Sequence, residues 1–168
     1  MRTFSDEELA QLVACPKQVL DPPRREMRIE GKMKRNDMTL KSEDSRHSFR
    51  VFLRQSDEFP ENFSIGLIYL PGEEPGSFQL IRFNGQHGGE RVYPHHAVFH
   101  IHRSTADDIN AGILEPRSIE QTTAYASFRE ALAHFCNNVQ IERPDDHFPG
   151  ISQAQLFPEN DKDDEVQP

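Results

Sequence analysis

An α+β fold, one antiparallel sheet of four to five strands with a short N-terminal helix and C-terminal helices packed on one face, is what this sequence predicts. Three observations carry that expectation. Apolar residues alternate with polar ones in several runs between residues 48 and 103, the period-two signature of strands. Turn signals such as Pro71-Gly72-Glu73-Glu74-Pro75-Gly76 separate the runs, which makes hairpins the simplest connection. Near the C-terminus the period changes, and Phe128, Ala131, Leu132, Phe135 and Cys136 fall on one stripe of a helix.

The elements follow in order. Ser5-Asp6-Glu7-Glu8 reads as a capping box, and Leu9, Leu12 and Val13 continue at helical spacing until Pro16. Asp21-Pro22-Pro23 reads as a turn, and Met27, Ile29 and Met33 suggest extended chain. Asn36-Asp37 reads as a polar turn before Met38 to Lys41. In the run 48–54, Phe49, Val51 and Leu53 take one face and Arg50, Phe52 and Arg54 the other. Strands are expected at 63–70, 77–84 and 97–103. Ser104 or Thr105 caps a short helix stopped at Gly112, residues 118–123 connect, and a longer helix spans 124–138. A single domain is expected over residues 1–143, followed by an acidic, disordered tail over 144–168 that adds little stability.

Composition narrows the class. The chain has 168 residues and mean hydropathy −0.74, and it lacks tryptophan but holds 12 Phe. No apolar run approaches a membrane span, and the N-terminus shows no signal peptide. Cys15 and Cys136 are far apart and form neither a disulfide framework nor a metal clip, so a reducing, cytoplasmic setting is expected. The net charge of −9 is unevenly spread. Residues 17–54 carry eleven Lys/Arg against six Asp/Glu, a local +5, and residues 144–168 carry seven Asp/Glu against one Lys, a local −6.

Chemistry concentrates between residues 82 and 103. Five of the eight histidines fall in sixteen residues, as His87, His95, His96, His100 and His102. On a strand, His100 and His102 share one face while Phe99 and Ile101 anchor the other. His87 sits on a glycine-flanked loop, and Arg82, Arg50 and Arg54 are candidates for the histidine face. Three readings compete. Imidazoles and guanidinium groups suit binding or metal-free cleavage of a phosphodiester, with RNA as the ligand. His87, His100 and His102 could instead hold Zn or Fe, although the glutamate of a cupin-type pattern is missing. The face could also be a protein-interaction surface without catalysis, or solvated polar strand. His95-His96 reads as an exposed turn, and His47, His134 and His147 as structural or exposed. Cys136 reads as a core thiol rather than a nucleophile. Neither a P-loop nor a GxGxxG motif is present.

The unit Phe78-Gln79-Leu80-Ile81-Arg82-Phe83-Asn84-Gly85, then His87, then Phe99-His100-Ile101-His102-Arg103, resembles a strand–loop–strand pattern of small uncharacterised prokaryotic proteins, distantly TumE-like. The resemblance covers roughly residues 48–138. It implies a role of the toxin–antitoxin type and a site at Arg82, His87, His100 and His102. The chain is longer than that pattern, as is the segment between His87 and His100. The resemblance is one of fold, and the site must be argued from its own residues.

Overall fold

The computed structural model describes residues 1–87 and 98–155. Helix α1 (Asp6–Ala14) opens the chain, and the expected capping box holds it: the Ser5 side chain accepts from the Glu8 amide while Glu8 accepts from the Ser5 amide. Strands β1 (Lys17–Asp21), β2 (Arg28–Glu30), β3 (Met33–Ser42), β4 (Ser48–Ser56), β5 (Phe63–Leu70), β6 (Phe78–Asn84) and β7 (His100–Arg103) follow. Helix α2 (Ala106–Asn110), strand β8 (Ser118–Gln121) and helix α3 (Phe128–Asn138) complete the main elements.

The fold is α+β with one antiparallel sheet, but the sheet has eight strands among the described residues where four to five were expected. Its order is β1-β3-β4-β5-β6-β7-β8, and β2 also pairs with β3. Three additions explain the difference. β1 and β2 pair end to end along the same edge of β3, each too short to show alternation. β8, expected as a connector, is exposed along its whole length and so lacks an apolar signature. The expected polar turn at Asn36-Asp37 lies inside β3 instead. Asn36 is buried there because its amide accepts from the Arg24 N–H and donates to the Arg24 carbonyl, satisfying a buried polar group locally.

Register fixes the two faces. Phe49, Val51 and Leu53 of β4 pair with Tyr69, Leu67 and Ile65 of β5, and Leu67 and Ile65 pair with Ile81 and Phe83 of β6. All are buried in one core with Leu9 and Leu12 of α1, Ile109 of α2, and Leu132, Phe135 and Cys136 of α3. Phe83 meets Phe135 edge to face at 5.5 Å, and Phe4 meets Phe78 at 5.2 Å. The helices therefore lie on one face of the sheet, as expected, and α3 begins at Phe128 with Ser127 as its cap rather than at 124.

Lys17 joins the ends of two helices. It is fully buried, and its Nζ donates to the carbonyls of Val13, Cys15 and Val139 at 2.7, 2.8 and 2.9 Å. These carbonyls end α1 and α3, where helices leave acceptors unpaired and carry partial negative charge. Packing also continues beyond the expected boundary at 143. Short 3-10 turns at Pro144–Asp146 and Ile151–Gln155 pack on each other, and the second packs on α3. Ile151 is only 1% exposed, so this part of the acidic segment belongs to the core.

Candidate functional site

The sheet face opposite the helices carries two cross-strand rows that the register defines. One runs Arg28, Arg35, Arg54, Ser64, Asn84, His100, Gln121. The next runs Asp37, Phe52, Gly66, Arg82, His102, Ile119. Strands in a sheet are about 4.8 Å apart and rows on one face about 7 Å apart, so neighbours in these rows are within side-chain reach. Arg50 follows Phe52 on the same face of β4.

Charge on this face is not balanced evenly. Glu30 pairs with both Arg28 and Arg35. Among the described residues neither Arg54 nor Arg82 has an ion-pair partner within salt-bridge distance. Arg54 places its guanidinium 5.0 Å from the centre of the Phe52 ring. The Phe52 ring in turn lies over Gly66, where a Cβ would overlap it. Arg82 is half-buried, and its Nε has no hydrogen-bond partner among the described residues. Burial lowers its affinity for a proton, Glu115 opposes that effect, and Arg54 adds to it. A guanidinium does not lose its proton in a protein; the cost of its position is relieved by an anion instead.

The predicted histidines come together. The His87 ring is 5.3 Å from the His100 ring, and His100 is 5.0 Å from His102. His102 stands directly opposite Arg82. All four predicted site residues thus gather at one end of the β6–β7 pair. His100 and His102 are buried, however, and not on a solvated strand face; they are 0% and 6% exposed. His87 is half-buried at the rim.

His100 has a distinct role. Its Nδ1 is 2.7 Å from the Val98 carbonyl, a contact that needs the proton on Nδ1. Its Nε2 is 3.1 Å from Asn84 Nδ2, which donates to the neutral ring. Both ring nitrogens are therefore engaged, and a metal or a substrate proton reaches neither without breaking a bond. His100 is a positioning residue for His102 and Asn84. Tyr125 fixes the same corner: its hydroxyl is 3.0 Å from both the Asn84 and His100 carbonyls, and burial pushes its ionisation above the ordinary tyrosine range. Phe63, Phe83 and Phe99 surround its ring.

The described residues hold no group of three or more His, Cys, Asp or Glu side chains placed to take a metal ion. They also include no helix long and apolar enough to cross a membrane. His95 and His96 lie outside the described residues. His47 is bound through Nδ1 to the Tyr69 hydroxyl at 3.1 Å, away from this face. Burial pushes the Cys136 thiol up to about 12, which suits a core residue and not a nucleophile. Of the basic segment, Arg50 and Arg54 join the site face, while Lys32 and Lys34 are spent on Glu58 and Asp57. Sequence reasoning passed over Asn84 and Gly66. Their importance appears only once register sets Asn84 beside His100 and Gly66 between Phe52 and Arg82.

Comparison with protein-family models, curated proteins and solved structures gives no match for this chain.

Proposed function

We propose that the face bearing Arg54, Arg82 and the His87–His100–His102 cluster binds a phosphate-bearing ligand, with RNA as the favoured class. The observation that carries this reading is Arg82. A half-buried guanidinium whose Nε has no partner among the described residues, next to a second guanidinium with no ion pair among them, is costly in the free protein and suits an incoming phosphate oxygen. Arg50 extends the positive face along β4. His87 and His102 flank the position, and imidazole is a side chain suited to proton transfer near neutral pH, which would make a metal-free, ribonuclease-like activity of the toxin–antitoxin type the finer form of the reading. A protein-interaction module is the alternative.

Binding of a fluorescein-labelled single-stranded RNA, followed by anisotropy at about 50 mM salt where phosphate contacts are strong, tests the proposal. Saturable binding that weakens steeply with salt, and that Arg82→Ala reduces, is expected. Undiminished binding by the Arg54→Ala/Arg82→Ala double variant would move the contact elsewhere. Absence of binding, together with a protein partner retained by the double variant, would favour the interaction module. Growth arrest on expression, relieved by His102→Ala, addresses cleavage.

A further inference from the structure

Phosphate alone does not satisfy this face. Asn84 is 97% buried by its 3% exposure, and its Oδ1 has no hydrogen-bond partner among the described residues. The assignment of that oxygen belongs to the neutral His100 ring: with the Nδ1 proton toward Val98, Nε2 accepts and Asn84 turns its NH2 toward it. The carbonyl oxygen of the amide is then left over. Gln79 Oε1, on the same strand, is likewise buried without a partner among the described residues. An orphan acceptor calls for a donor, and a phosphate diester has none.

We infer that Asn84 Oδ1 accepts a hydrogen bond from a ribose 2′-hydroxyl, so that the site selects RNA over DNA. The inference rests on the phosphate-binding reading above. Asn84 and Arg82 are two residues apart on one face of β6, a separation of about 7 Å. Extended guanidinium and amide side chains at that spacing can hold a phosphate and the ribose hydroxyl next to it. The 2′-hydroxyl is the group that distinguishes the two nucleic acids at a single site, and it is a donor. Ser64 stands between Arg54 and Asn84 in the same row, so the two arginines and the amide are placed along neighbouring strands of one face. Polar sites that bond a substrate hydroxyl discriminate strongly against the analogue lacking it, because their own group is then left unpaired.

The test compares three labelled single strands of one sequence, as RNA, DNA and 2′-O-methyl RNA, on the full chain. RNA is expected to bind about tenfold or more tightly than either analogue, the scale of one hydrogen bond to an otherwise unsatisfied group. Asn84→Leu should bring RNA affinity down to that of DNA while leaving DNA affinity within about twofold. Equal binding of the three wild-type complexes would overturn the inference and leave the phosphate reading standing. Failure of all three to bind at about 50 mM salt would overturn the phosphate reading itself. The wild-type comparison decides the matter even where Asn84→Leu does not fold.

Discussion

Arg82 on β6 faces His102 on β7 directly across the ladder, and Gly66 on β5 stands on its other side. That pairing makes the candidate site a property of the sheet and not of a loop. The guanidinium is positioned by a central strand whose opposite face is packed into the core through Ile81 and Phe83. Rigid placement of this kind is what anion recognition needs, since the geometry is set before the ligand arrives.

Arg54 and Arg82 should act on affinity through charge. Each replaced by Ala is expected to lower the slope of log binding constant against log salt by about one, the share of one phosphate contact. Lys32→Ala is the control, because Lys32 pairs with Glu58 at 3.4 Å away from the site. Salt titrations of the three variants measure this. An unchanged slope in both arginine variants would remove these residues from the contact.

Gly66 should tolerate no side chain. A Cβ there would overlap the Phe52 ring, which lies between Arg50 and Arg54 and beneath the Arg54 guanidinium. Gly66→Ala is expected to cost about 1–3 kcal/mol, the usual range for overpacking, and to weaken RNA binding by displacing Arg54. Gly85→Ala should cost more, since its Cβ would meet the Glu61 carbonyl and the Phe63 ring, and backbone yields less readily than a side chain. Denaturant melts of both variants decide the order.

Tyr125→Phe isolates the bond that ties the ends of β6 and β7. Its hydroxyl donates to two buried carbonyls at 3.0 Å each, which the β6–β7 ladder also engages, so its removal takes away the shared donor and not the ladder bonds. A loss of about 1 kcal/mol is expected. The His100 ring should also become more mobile, visible in its imidazole proton resonances.

How much of this was readable beforehand depended on whether a residue's environment is local. The strands at 48–56 and 63–70 and the stripe of α3 were legible because alternation and helical period report directly on burial. Strand parity set His100 and His102 on one face, but the place of Arg82 opposite His102 needed the register of β6 against β7, which parity does not encode. β1, β2 and β8 were not legible, since short edge strands show no periodic burial. The burial of His100 and the orphaned oxygen of Asn84 depend on a partner strand sixteen residues away. No propensity encodes that pairing. Ile151 was lost in a charged segment for a related reason: one apolar residue among acids carries no pattern, yet it fills a space beside α3. Ile151→Ala is accordingly expected to cost about 2–4 kcal/mol in a denaturant melt, where an ordinary exposed tail residue would cost almost nothing.

Lys17 gives the fold a pH dependence of defined sign. Burial pushes its ammonium down from an ordinary 10.5 to about 8, with Cys15 opposing the shift. Below pH 8 the group is charged in both folded and unfolded chains, and the cost of burying the charge is present in full. Between about pH 8 and 10.5 the unfolded chain holds the proton more tightly than the folded one, so stability rises with pH. Above 10.5 the group is neutral in both states and the gain levels off. The whole rise is about 3 kcal/mol, from the size of the shift at 1.36 kcal/mol per unit. Other lysines and tyrosines titrate in the same window, so the measurement is the difference between wild type and Lys17→Met. That difference should move by about 3 kcal/mol in favour of wild type on going from pH 7.5 to 10.5. Below pH 8, wild type still has its three carbonyl contacts at the ends of α1 and α3, which the methionine variant lacks. A wild-type advantage that stayed flat, or shrank, across the window would show that the carbonyls hold the ammonium charged and that burial does not dominate its titration.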